Sequence, residues 1–265
     1  MAKHIPGPLY FVQQGGSGLP MLFLHSTPDD HRLWYIQTAH FSSWYRTIAV
    51  DLAGYGHSPA PQKGVQVVDQ AEACWEVVDR ITSGPVIIHG NSLGSHVAMY
   101  MAKLQPQRIP ALILSGCGYL PTRENMLGWL EKYRAEGVGF RYHQILDHFA
   151  PDSRPKPEVQ HYARMVNELT NLSTLESIIA MNEALAIPDP EELFAAITSP
   201  TIIISGTRDR NHKKAFDLVP RIKGSEIFSI ENAGHSMMIE QPWEYDAICI
   251  RFLTKLGLFP GGSID

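Results

Sequence analysis

Five apolar runs of strand length recur along the chain, each followed by polar or glycine-rich residues and then a helical pattern. They cover residues 21–25 (MLFLH), 47–51 (TIAVD), 86–90 (VIIHG), 111–116 (ALILSG) and 201–206 (TIIISG). All five are β-branched or leucine-rich and none alternates strictly, the pattern of strands buried on both faces of a mainly parallel sheet. Residues 9–14 (LYFVQQ) and 226–230 (EIFSI) predict two weaker strands. Strands alternating with helices imply an α/β fold with a doubly wound sheet.

One interval breaks this rhythm. Between ALILSG and TIIISG no convincing strand occurs over residues 117–200, far more chain than a crossover requires. Helix starts are visible instead: Ser173 with Glu176 reads as a capping box, and Asp189 followed by Pro190 as an N-cap and first helical residue. Residues 151–158 (PDSRPKPE) read as a breaker-rich connection. The expected organisation is an α/β core of residues 1–118 and 198–265 with an α-helical cap inserted at 119–197.

In such a sheet ligands gather outside the carboxyl ends of the strands. After VIIH comes Gly90-Asn91-Ser92-Leu93-Gly94, a G-x-S-x-G between strand and helix. There the glycines permit a cramped turn that lifts the serine hydroxyl above the sheet, with N–H groups of the helix start behind it. A turn that merely lets strand and helix pack closely is the alternative. A serine hydroxyl needs a base, and the base needs a third group to hold its tautomer. Asp209 follows the TIIISG strand and His235 lies in the loop after EIFSI. Taken singly they would be a solvated carboxylate and a surface histidine; their order, Ser92, Asp209, His235, is the one this architecture uses.

Together these segments resemble the α/β-hydrolase fold superfamily, in its small cofactor-free esterase, lactonase and C–C hydrolase branch with a helical cap. The likeness spans nearly the whole chain: LFLHSTP is similar to an HGxP oxyanion loop, VDLAGYGHSPAP to a D-x-x-G-x-G-x-S turn, and GTRD and NAGH to the acid and histidine loops. The resemblance implies Ser92, Asp209 and His235 as catalytic residues and the backbone N–H groups of Thr27 and Leu93 as the oxyanion hole. Ser26 stands where the family carries glycine, and its hydroxyl or that of Thr27 is a candidate extra donor. No metal and no organic cofactor are implied. The expected substrate is a small to medium ester or lactone, apolar enough to sit between cap and sheet. C–C bond hydrolysis and a non-catalytic small-molecule receptor on the same fold stay open.

Bulk properties narrow the class further. Net charge is −5, from 22 Lys+Arg against 27 Asp+Glu, which argues against nucleic acid or an anionic membrane as partner. The 3 cysteines, Cys74, Cys117 and Cys249, have no disulfide or metal spacing, and no signal peptide or membrane span is evident, so a cytoplasmic protein is expected. Neither HSTPDDH (residues 25–31) nor HQILDH (residues 143–148) has metal-ligand spacing. Asp29 and Asp30 are expected to start the next helix, and HQILDH to face solvent. In the pocket the candidates are Ser26, Trp129 and, beside the base, Met237 and Met238; the aromatic and methionine side chains serve core packing equally well.

Overall fold

The computed structural model of the chain describes residues 4–118, 123–169, 175–184 and 190–261. All seven expected strands form: β1 (Phe11–Gln14), β2 (Pro20–Leu24), β3 (Arg46–Val50), β4 (Ile87–Asn91), β5 (Leu112–Ser115), β6 (Thr201–Gly206) and β7 (Glu226–Ile230). They make a single sheet in the order β1-β3-β2-β4-β5-β6-β7. β1 runs antiparallel to β3, and every other pair is parallel. The order reverses at β2 and β4, whose carboxyl ends lie side by side with Leu24 opposite Gly90. Such a reversal opens a crevice between the two following loops, and there an open α/β sheet receives ligands.

Alternate residues of each strand enter different cores. Leu22, Leu24, Ile48, Val50, Ile88, Leu112, Leu114 and Ile203 pack on one face with the helices of residues 67–79 and 93–104. Met21, Phe23, Ala49, Ile87, Ile113, Ile202 and Ile204 face the other. Along the chain the first helices are α1 (Tyr35–Phe41), α2 (Val67–Asp79) and α3 (Leu93–Leu104). Both faces are covered, which is why the strands read as apolar runs without alternation.

Among the described residues five α-helices occupy the interval between β5 and β6: α4 (Arg123–Glu136), α5 (Phe140–Leu146), α6 (Pro157–Leu169), α7 (Leu175–Ala184) and α8 (Pro190–Ala195). α8 begins at Pro190, as its fixed φ favours. The caps expected at Ser173 and Asp189 lie outside the described residues. Ile145, Phe149, Val159, Tyr162, Ala163 and Val166 of this interval join the second core, while Met181, Leu193 and Phe194 join the first. The chain ends with α9 (His212–Ala215), α10 (Met237–Glu240) and α11 (Pro242–Lys255). Among the described residues no helix is long and apolar enough to cross a membrane.

One core residue is chemically out of place. His89 in β4 is fully buried, its ring centroid 4.6 Å from Phe23, 5.9 Å from Phe41 and 6.2 Å from Trp34. Among the described residues neither ring nitrogen has a hydrogen-bond partner. Burial pushes its pKa down from 6.5 to about 3, so the folded protein keeps it neutral where the unfolded chain would protonate it. Its contribution to stability is therefore complete above pH 6.5 and is lost as pH falls from there toward 3. His89→Leu should raise stability at pH 7 by about 1 kcal/mol, because it removes two unpaired buried nitrogens, and should flatten the acid-side loss. Urea unfolding of both proteins at pH 7 and pH 5 measures this.

Candidate active site

The turn after β4 is built by backbone crowding. A side chain at Gly90 would meet Gly94 O at 2.5 Å and Ser95 N at 2.6 Å; one at Gly94 would meet Leu24 O at 2.1 Å and His25 O at 2.8 Å. Only glycine lets α3 start this close to β4 and to the end of β2. Ser92 carries the resulting bend, at φ 53 and ψ −111, a left-handed conformation that a serine adopts only under constraint. Ser95 Oγ donates to Gly90 O at 2.9 Å and Ser115 Oγ donates to the same carbonyl at 3.0 Å, clamping the turn to β5. The Ser92 side chain is part-exposed above it.

His235 and Asp209 meet at the neighbouring strand ends. His235 Nδ1 lies 2.9 Å from Asp209 Oδ2, with His235 only 3 % and Asp209 7 % exposed. Asn211 N–H donates to the other carboxylate oxygen at 2.9 Å. Burial by itself would raise the Asp209 pKa, but the His235 ring, the Asn211 N–H and the Arg210 charge outweigh it and hold the group below its usual value. An ionised Asp209 accepts from Nδ1–H, so His235 Nε2 carries the lone pair. Among the described residues that Nε2 has no hydrogen-bond partner. The resting structure thus makes the acid–histidine contact and leaves the serine–histidine one unmade.

The loop after β2 faces this turn. His25 Nε2 accepts the Leu52 N–H at 2.9 Å, which leaves Nδ1–H to donate to Ser26 O at 2.8 Å. The N–H groups of Thr27 and Leu93 donate to no acceptor among the described residues. Leu93 opens α3, where N–H groups have no partner within the helix. Ser26 does not take positive φ, so the position places no demand for glycine. Its hydroxyl donates to the Asp29 carboxylate, and Thr27 Oγ1 pairs with the Tyr55 hydroxyl at 2.7 Å. The Ser26 hydroxyl is thus engaged by Asp29, while in the Thr27–Tyr55 pair either hydroxyl can be the donor.

Two expectations need correction. Asp30 does cap the short helical turn of residues 31–34, accepting from Arg32 N–H at 3.0 Å, but Asp29 faces away from it. Asp29 is fully buried and accepts from Tyr162 OH at 2.8 Å as well as from Ser26. In HQILDH, His143 and Asp147 are exposed as expected, whereas His148 is buried against His235, ring centroids 4.8 Å apart. Their partners lie on remote segments, which local pattern cannot show. Asn91 also escaped notice: its Nδ2 donates to His235 O at 3.1 Å, tying the serine turn to the histidine loop.

Of the pocket candidates, Met237 and Met238 are fully buried in the second core, with Met238 Sδ 3.7 Å from Asn91 Nδ2. Trp129 lies against Phe140 at 6.0 Å and under the Arg210 guanidinium at 4.7 Å. Among the described residues one group, His31, Asp51 and His57, brings potential metal ligands within 4.8 Å. Asp51 there already accepts the N–H groups of His31 at 2.7 Å and His57 at 2.8 Å, closing the turn after β3.

Residues 21–245 match the model of the alpha/beta hydrolase family. The chain belongs to the alpha/beta hydrolase family. It is 28% identical over 262 residues to the AB hydrolase superfamily protein YisY of Bacillus subtilis (strain 168), covering 91% of this chain and 94% of that one. It is 26% identical over 222 residues, 80% of this chain and 77% of the relative, to a 2-hydroxy-6-oxononadienedioate/2-hydroxy-6-oxononatrienedioate hydrolase of Klebsiella pneumoniae. Among solved structures, a thermophilic esterase from Thermogutta terrifontis superposes with TM-score 0.82 at 25% identity, covering 94% of this chain and 93% of that one. The enol-lactonase from Burkholderia xenovorans LB400 shares the fold, with TM-score 0.85 at 23% identity over 94% of this chain and 98% of that one.

The Asp209–His235 contact should be visible directly. At pH 7 the proton NMR spectrum should contain a low-field His235 Nδ1–H resonance, and Asp209→Ala should abolish it by removing the acceptor.

Proposed function

We propose that the protein is a serine hydrolase that cleaves a carboxylic ester or lactone through an acyl-enzyme on Ser92. The observation that carries this reading is the Asp209–His235 pair, buried and hydrogen-bonded at 2.9 Å, at strand ends beside the left-handed Ser92 turn. In the proposed reaction Ser92 Oγ attacks the carbonyl carbon while His235 Nε2 takes its proton. Asp209 holds Nδ1–H and stabilises the imidazolium that forms. Thr27 and Leu93 N–H groups receive the negative charge on the carbonyl oxygen, a role whose loss typically costs about 10²–10³ in rate. His235 then returns the proton to the departing alkoxide. Water, deprotonated by His235, releases the acid and restores Ser92.

Residues 119–197 act in this proposal as a helical cap over the strand ends, and the sheet domain supplies the three reacting side chains. A cytoplasmic setting accords with three buried free cysteines. Carbon–carbon bond hydrolysis would use the same side chains; the likeness to a hydrolase of a 2-hydroxy-6-oxo dienedioate keeps it as the second reading. A receptor on this fold would bind without turnover.

A fluorophosphonate probe should label the folded protein on Ser92, located by peptide mapping. Steady-state hydrolysis of a short p-nitrophenyl ester should fall at least about 10³-fold in Ser92→Ala. No label on Ser92, or equal turnover by the variant, would refute the proposal; labelling without turnover on ester, lactone and dienedioate panels would favour the receptor.

A further inference from the structure

His148 stands between the two loops that frame the proposed reaction. It follows α5, is 1 % exposed, and its backbone carbonyl accepts Ser236 N–H at 3.0 Å. Gly234 approaches so closely that a side chain there would meet that carbonyl at 2.7 Å. The His148 ring is tilted 56° against His235 with centroids 4.8 Å apart. On its far side Nδ1 lies 3.4 Å from Asp29 Oδ2. Asp29 in turn accepts from Ser26 in the loop after β2 and from Tyr162 of α6. The pair is a looser counterpart of Asp209 and His235 on the opposite wall, at 3.4 Å and without the 2.9 Å hydrogen bond of that pair.

The chemistry of this pair has a direction. Burial would raise the Asp29 pKa, but His148, Ser26 and Tyr162 hold it below the usual carboxylate value. Burial holds His148 down at about 4, so the ring is neutral near pH 7. An ionised acceptor opposite Nδ1 keeps the single ring proton there, leaving the Nε2 lone pair unused. Among the described residues neither ring nitrogen of His148 has a hydrogen-bond partner, Nδ1 having only the charge of Asp29 at 3.4 Å, and His235 Nε2 has none either. A buried acceptor without a donor is costly, and one whose ring packs against the His235 ring is placed where a substrate donor would satisfy it.

We propose that His148 binds the substrate, its Nε2 accepting a hydrogen bond from a hydroxyl or amide N–H next to the scissile carbonyl, with Asp29 fixing the ring's tautomer. The substrate class is then a hydroxy ester or lactone, or an acylamino ester or lactone, a narrower class than the small to medium ester or lactone that the sequence suggested. The inference rests on Ser92 and His235 being the reacting pair.

Matched substrates test it. Methyl 2-hydroxybutyrate and methyl 3-hydroxybutyrate are compared with methyl butyrate, and N-acetylglycine methyl ester with methyl 4-oxopentanoate, in which CH2 replaces N–H. At least one donor-bearing ester should exceed its partner in kcat/KM by about tenfold. Which pair responds distinguishes a hydroxyl from an amide. His148→Asn, which retains a group near Nδ1 only, should bring that ratio to about one whatever it does to absolute rates. His148→Gln, which retains a group near Nε2, should preserve it. Equal kcat/KM within every pair for the unaltered protein overturns the proposal without any variant, as does a preference that survives His148→Asn. If none of these esters is turned over, the ester half of the proposed function fails on its own. Saturation-transfer NMR of the same pairs with Ser92→Ala then decides the His148 contact, since equal binding within every pair overturns it.

Discussion

The site depends on how closely backbone can approach backbone where β4 becomes α3. Gly90 packs on Gly94, and Gly94 packs on the last carbonyls of β2, at separations that exclude any side chain. That crowding forces Ser92 into its left-handed conformation and brings the first N–H groups of α3 beside the loop carrying Thr27. The sheet order makes the approach available, because β2 and β4 are neighbours whose outgoing chains diverge. Had the strands been ordered sequentially, β3 would separate the two loops. The left-handed serine is thus held by covalent turn geometry on one side and by sheet topology on the other.

Around that point the polar groups are organised as two acid–histidine pairs. Asp209 and His235 belong to loops after β6 and β7, and Asn91 anchors the His235 carbonyl to the serine turn. Asp29 and His148 come from the loop after β2 and from the helices between β5 and β6. Each carboxylate is buried and still ionised because several donors converge on it, which a lone buried acid could not achieve. The second pair also accounts for Ser26: its hydroxyl is absorbed by Asp29, so a side chain where the family carries glycine leaves the loop intact.

Several of these features were legible before any coordinates. β6 runs as expected, residue for residue, since an apolar run ending in glycine has little freedom when both sheet faces are buried; β7 also keeps its expected bounds, although it is partly exposed. Ser92, Asp209 and His235 were legible because each follows a strand directly, so local chain direction delivers it to one edge of the sheet. Asp29 and His148 were not. Asp29 lies 133 positions from its partner Tyr162, and its aspartate–aspartate context imitates an ordinary helix start. His148 sits in a segment whose neighbours His143 and Asp147 are exposed, so its local pattern resembles a solvated face.

By itself the sequence determined the element order, the two-faced sheet and the serine turn, because these follow from periodicity, glycine and chain direction within a few residues. Only tertiary structure decided which polar groups meet. Placing Asp29 against His148 and Tyr162 required the helices between β5 and β6 to fold back onto the β2 loop. A carboxylate's neighbours set its charge, and no stretch of sequence shorter than that return path specifies them.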